Sequence, residues 1–143
     1  MQIPDVNALV NAFHPLAVFY APYRRWLDEA SGSDESLAIP DLVLLGFVRV
    51  SLNRKVWDPP PTLDRVLAFV DELRSLPNFV PLEPSKRHWR AFANFCRTVG
   101  TRPDDFTDNY LAALAIENEA ELISADRGFA RFPGLRWRDP SRP

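Results

Sequence analysis

Two rhythms of apolar residues alternate along the chain. Short apolar runs bounded by turn residues read as strands: "IPDV" near the start, "SLAIP" (36–40), "NFVPLEP" (78–84), "ELIS" (121–124) and "LRW" (135–137). Between them lie stretches with apolar positions three and four apart, the spacing of a helix face. "VNALVNAF" (6–13) and "HPLAVFYAPYRRWLDEAS" (14–31) predict two helices, punctuated by Pro15 and Gly32. "DLVLLGFVRVSLN" (41–53) predicts a third, with Asp41 as its N-cap directly after Pro40. The proline run "DPPPT" is a stiff connector, after which Thr62 caps "LDRVLAFVDELRSLP", where Leu63, Val66, Leu67, Val70 and Leu73 keep helical spacing. "SKRHWRAFANFCRTVG" predicts a helix ending at its glycine, and "TRPDDFTDNYLAALAIENE" a loop leading into another. "ADRGFARF" reads as a short turn or helix. Strands separated by helices predict an α/β fold, a mostly parallel sheet with helices on both faces.

Length and composition narrow the class. The 143 residues match one domain (1–143) with room for a real core. No apolar run approaches the roughly 18–20 residues of a membrane span, and no basic start precedes a long apolar stretch, so a cytoplasmic location without membrane contact is expected. Cys96 is the one cysteine, which leaves no internal disulfide and no cysteine-based zinc site; its helical setting suits a small core residue. His14 and His88 lie far apart with no metal-binding motif around them. The five glycines form neither GxGxxG nor GxxxxGK[ST], which argues against a nucleotide cofactor. A net charge of −2 excludes a globally basic nucleic-acid binder but not a local basic patch, and the cations are nearly all arginine, whose planar fork reads phosphate well.

The chemistry-bearing pattern is acidic. In open α/β sheets, ligands collect beyond the carboxyl ends of the strands. Asp5 falls in or at the end of the first strand, Asp126 two residues after "ELIS", and Asp108 at the start of the helix before that strand. Asp108 shares a helix face with Leu111, Ala112 and Ala115, in a run apolar all round. Helix capping would explain an aspartate here, yet Thr107 or Asp105 could do that job. An Asx turn would explain Asp5, and a cap on "RGFARF" would explain Asp126. Three aspartates in one crevice, however, repel one another unless a counter-charge intervenes. Oxygen ligands without histidine or cysteine select a hard cation, Mg²⁺ or Mn²⁺.

On these residues the chain resembles the PIN-domain ribonucleases, in particular the VapC-type toxins of bacterial toxin–antitoxin modules. The matching pieces are "PDVNALV", "DLVLLGFVRV" and "TDNYLAALAIENEAELISADRGFARFPGLRW". The most specific is the last: an aspartate heading an Ala/Leu-rich helix, a strand, then "SADRGF". The resemblance implies a three-layer PIN-like fold and a Mg²⁺- or Mn²⁺-dependent endoribonuclease, with transfer or ribosomal RNA as substrate. Asp5, Asp108 and Asp126 would be the catalytic, metal-binding residues, and Asn7, Thr107 and Ser124 would orient those carboxylates or their waters. One departure stands out. The further acidic residue that PIN domains usually carry in the helix "DLVLLGFVRV" aligns with Gly46, while Asp41 sits five residues earlier.

Arg24, Arg25, Arg49 and Arg127 are candidate phosphate contacts. The resemblance also implies a VapB-like antitoxin whose C-terminal segment covers the acidic site, and a homodimer. Phe19, Tyr20, Tyr23 and Trp26 exceed what one helix face needs for its own core, which suits either packing or an interface. Two competing readings are an inert PIN-like module that binds RNA or protein, suggested by Gly46, and a receiver or dehalogenase-like phosphatase. The latter wants a lysine at a strand end, and the only lysines, Lys55 and Lys86, are elsewhere.

Overall fold

The computed structural model describes residues 1–143. Five strands of three residues each form one sheet: β1 (Gln2–Pro4), β2 (Leu37–Ile39), β3 (Phe79–Pro81), β4 (Glu121–Ile123) and β5 (Arg136–Arg138). All pairings are parallel, in the order β3-β2-β1-β4-β5. Six α-helices connect them: α1 (Val6–Phe13), α2 (Tyr20–Ser31), α3 (Asp41–Ser51), α4 (Leu63–Arg74), α5 (His88–Thr98) and α6 (Phe106–Glu117). From β1 the chain winds outward through β2 to β3, then returns to place β4 on the other side of β1. With right-handed crossovers, α1–α4 cover one face and α5–α6 the other. The helix contacts divide the same way, α1 against α2 and α3, α3 against α4, and α5 against α6.

Short strands suffice because both faces are covered. Ile3, Leu37, Ile39, Leu122 and Ile123 are fully buried, and each such side chain contributes about 1.5–3 kcal/mol by leaving water. α6 is buried nearly all round, with Leu111, Ala112, Leu114 and Ala115 sealed. Its alanines let the helix lie close to the sheet. No helix is long and apolar enough to cross a membrane.

The element order matches the sequence reading, with local corrections. α2 begins at Tyr20, not His14, because His14 ends α1 as its C-cap and residues 15–19, starting at Pro15, form turns. The cap of α3 is Pro40; Asp41 is the first helical residue, exposed, 3.7 Å from Arg74. At that position its charge favours the positive helix end without capping it. Thr62 does cap α4, its hydroxyl accepting from the Arg65 amide at 3.3 Å. Gly100 follows α5 for a steric reason: a Cβ there would collide with Asn109 Oδ1. Cys96 is only half-buried, near the Asn109 amide. Tyr23 and Trp26 enter the core and satisfy their polar tips on Asp139 and Gln2, whereas Phe19 is 38% exposed.

Candidate active site

β1 and β4 are neighbours in the sheet, yet their outgoing connections turn to opposite faces. This is the topological switch point, where a parallel sheet opens a crevice. Asp5 leaves the end of β1 and becomes the N-cap of α1, outside the strand in which the sequence reading had partly placed it. Its Oδ1 accepts from the Val6 amide at 2.6 Å, and its own amide donates to the Ile123 carbonyl of β4 at 2.9 Å. Only 7% of Asp5 is exposed.

Asn7 and Ser124 fasten this carboxylate. Asn7 Nδ2 donates to Asp5 Oδ2 at 2.7 Å and to Ser124 Oγ at 2.8 Å. Ser124 Oγ donates to Asp5 Oδ2 at 3.0 Å and accepts from the Asp126 amide at 3.0 Å. Asn7 Oδ1 accepts from the Ala125 amide at 2.9 Å, which closes the loop between the β1 and β4 exits. Asp126 caps the 3₁₀ turn Arg127–Arg131, accepting from the Gly128 amide at 2.7 Å, and is exposed. Asp108 lies in the first turn of α6 with its side chain 23% exposed. Thr107, beside it, is exposed and takes no part in this hydrogen-bonded set.

The three carboxylates act on one another through charge. Asp108 is pushed up to about 6, chiefly by burial and then by the negative charges of Asp5 and Asp126; Arg131 opposes the shift. Asp5 is likewise pushed up to about 6 by burial, against its hydrogen bonds to Val6 and Ser124, with Asp126 adding repulsion. As placed, no three acidic, histidine or cysteine side chains stand close enough to hold an ion ready-made. The carboxylates are neighbours in field and not yet a closed ligand shell.

Two features escaped the sequence reading. Arg131 reaches into the crevice, 3.1 Å from Asp105 and 3.5 Å from Asp108, with its guanidinium over the Phe132 ring. Asp108 lies 23 residues earlier, so no local pattern announces the pair. Asp139, just past β5, is 6% exposed and accepts from Tyr23 Oη at 3.0 Å, the Ser141 hydroxyl at 2.7 Å and Arg142 Nε at 3.0 Å. It pins the end of the chain against α2. Of the candidate phosphate contacts, Arg24 is occupied by Asp28 at 2.9 Å; Arg25, Arg49 and Arg127 are exposed.

The Gly46 departure has a packing cause. A Cβ at this position would lie 2.6 Å from Val6 Cγ2, so α3 approaches α1 closely there. A glutamate cannot enter without displacing the residue next to Asp5.

The model of the PIN domain family matches residues 3–135, and the chain belongs to that family. Among its relatives are VapC ribonuclease Mb2897 of Mycobacterium bovis and ribonuclease VapC43 of Mycobacterium tuberculosis, each 44% identical over 98% of this chain and 95% of theirs. The solved structures of VapBC2 from Rickettsia felis bound to a DNA fragment from their promoter (TM-score 0.69, 17% identity, 96% and 97% of the two chains) and of VapBC-1 from nontypeable Haemophilus influenzae (TM-score 0.71, 14% identity, 99% and 98%) share the fold.

Proposed function

We propose that this protein is a divalent-metal-dependent endoribonuclease and the toxin of a toxin–antitoxin pair. What supports the reading is the junction of β1 and β4, where Asp5 is sealed and held by Asn7 and Ser124, the Asp126 amide donates to the same Ser124 hydroxyl, and Asp108 is acted on by the charges of both aspartates. Full-length similarity to VapC ribonucleases supports RNA as the substrate class, with transfer or ribosomal RNA the structured targets.

The donor set fits a hard cation: it is all oxygen, it is negative in excess of its one arginine, and it lies in a half-dry crevice. Asp5, Asp108 and Asp126 would hold Mg²⁺ or Mn²⁺, which when bound supplies charge stabilisation at the scissile phosphate and a more acidic water. Everything else falls to the chain. Asn7 and Ser124 fix the Asp5 carboxylate in one rotamer, so its position is set before substrate arrives. Arg131, bonded to Asp105, partly offsets the charge of Asp108 3.5 Å away and lies close enough to meet a phosphate oxygen that enters the crevice. Covering α1–α2 with an antitoxin segment, cationic where it meets the carboxylates, would silence the site; the VapBC neighbours support such a partner. A homodimer completes the reading.

The test is RNA cleavage by the wild type, Asp5→Asn and Asp108→Asn with Mg²⁺, Mn²⁺ or EDTA. Loss in both variants and in chelator is expected; cleavage that survives either rules the mechanism out. Size-exclusion of the protein alone and with its upstream neighbour's product checks the partners.

A further inference from the structure

The acidic crevice leaves a problem for an enzyme that works on a polyanion, because only Arg131 and, next to Asp126, Arg127 offset its aspartates. The opposite charge is gathered elsewhere. Between Ser85 and Arg102 the chain carries five cations, Lys86, Arg87, Arg90, Arg97 and Arg102, and no acid. Since the whole chain has 17 cations and 19 acids, the remainder holds 12 cations against 19 acids. None of the five takes part in an ion pair; the paired side-chain cations are Arg24, Arg74, Arg131, Arg138 and Arg142.

The helix within this segment, α5, is barely covered. His88 is its only buried residue, and Trp89 stands 70% exposed beside the cations. From Trp89 the aromatic rings continue inward: its centroid is 5.1 Å from Phe92, which is 6.3 Å from Phe106, itself 38% exposed. Phe106 opens α6, the helix that carries Asp108 in its first turn. The aromatic track therefore runs from α5 to the start of α6.

We propose that α5 is the substrate platform, on which an unpaired stretch of RNA stacks its bases against Trp89 while Lys86, Arg87 and Arg90 hold the flanking phosphates. This rests on the reading of the protein as a ribonuclease. An exposed indole with unpaired cations around it suits single strands, since stacking needs a base free of its partner. The charge argues against a second copy, because a two-fold interface through α5 would press two positively charged surfaces together.

The test reads binding separately from cleavage. Fluorescence anisotropy of a labelled single-stranded 12-nucleotide RNA, in EDTA, is compared for the wild type, Trp89→Ala, Trp89→Phe and the double variant Arg87→Gln/Arg90→Gln. Trp89→Ala weakens binding about ten-fold or more, and Trp89→Phe restores most of it. The double variant weakens binding at low salt and reduces the slope of log affinity against log salt by about 1.4. A 12-base-pair RNA duplex binds more weakly than the single strand. Unchanged affinity in both Trp89→Ala and the double variant, no wild-type binding, or equal affinity for duplex overturns the proposal. So does a change in sedimentation of Trp89→Ala with RNA affinity intact, which would give the face to a second copy. Wild-type protein that binds as described but cuts nothing with Mn²⁺ breaks the nuclease reading alone. Wild-type protein that cuts, while the variants bind and cut equally well, breaks the platform alone.

Discussion

The two junctions flanking the crevice follow one local plan and differ in their access to water. At the end of β1, Asp5 accepts the amide of the helical residue that follows it; beyond β4, Asp126 accepts the amide of Gly128 in the same fashion. Capping needs no burial, and Asp126 does its work exposed. Asp5, by contrast, is sealed, held by Asn7 and Ser124 as well, and raised to about 6. A buried carboxylate near like charges is more than a cap requires, and this excess is what the proposed metal site would use. The β4 junction alone would pass for a turn.

The largest expected effect separates the two junctions by activity. Asp5→Asn or Asp108→Asn should lower RNA cleavage on the order of 100-fold or more, measured as initial rates with Mn²⁺. Asp126→Asn should lose about ten-fold, since an exposed aspartate is more easily replaced by water. Equal losses at all three would erase the distinction.

Next in size is the α1–α3 contact beside the buried junction. Gly46→Glu should destabilise the fold by about 3 kcal/mol in urea, because its Cβ meets Val6 2.6 Å away. Val6→Ala in the same chain should recover part of the loss; no recovery would mean the cost lies elsewhere.

A smaller effect concerns pH. Asp5 and Asp108 keep their protons to higher pH folded than unfolded, so the folded state binds more protons between about pH 4 and 6. Their contribution is fully favourable below about pH 4, declines through that window and stays low above it. Removing the charge with Asp108→Asn should therefore stabilise the metal-free protein by about 1–2 kcal/mol at pH 7.5, with no gain below pH 4. Thermal denaturation at the two pH values checks this. Ser124→Ala should cost about 1 kcal/mol, the usual price of a buried hydrogen bond left without its partner.

How much of this was legible in the sequence follows from the range of each interaction. Helix and strand periodicity is local, and the order of elements from Gln2 to Arg138 could be read from it. The aspartates stood out because strand ends in an α/β pattern have a known destination. Asp5 was the exception in detail, since a β1 of three residues ends at Pro4, two positions earlier than "IPDV" suggests. The start of α2 was misjudged because residues 14–19 are apolar enough to continue a helix, although Pro15 breaks it. Arg131 was invisible because its partners, Asp105 and Asp108, lie across the fold. Gly46 showed as a gap in a motif, but its reason, the Val6 side chain, exists only once α1 and α3 pack.

Calorimetric titration of the wild-type protein with Mn²⁺ at pH 7.5, repeated at pH 5.0 and with Asp108→Asn, tests the central claim most directly. Binding in the wild type at pH 7.5 that weakens at pH 5.0, as protons compete for Asp5 and Asp108, and that drops away in the variant is the predicted result. No heat at millimolar Mn²⁺, or equal heat in the variant, would contradict it.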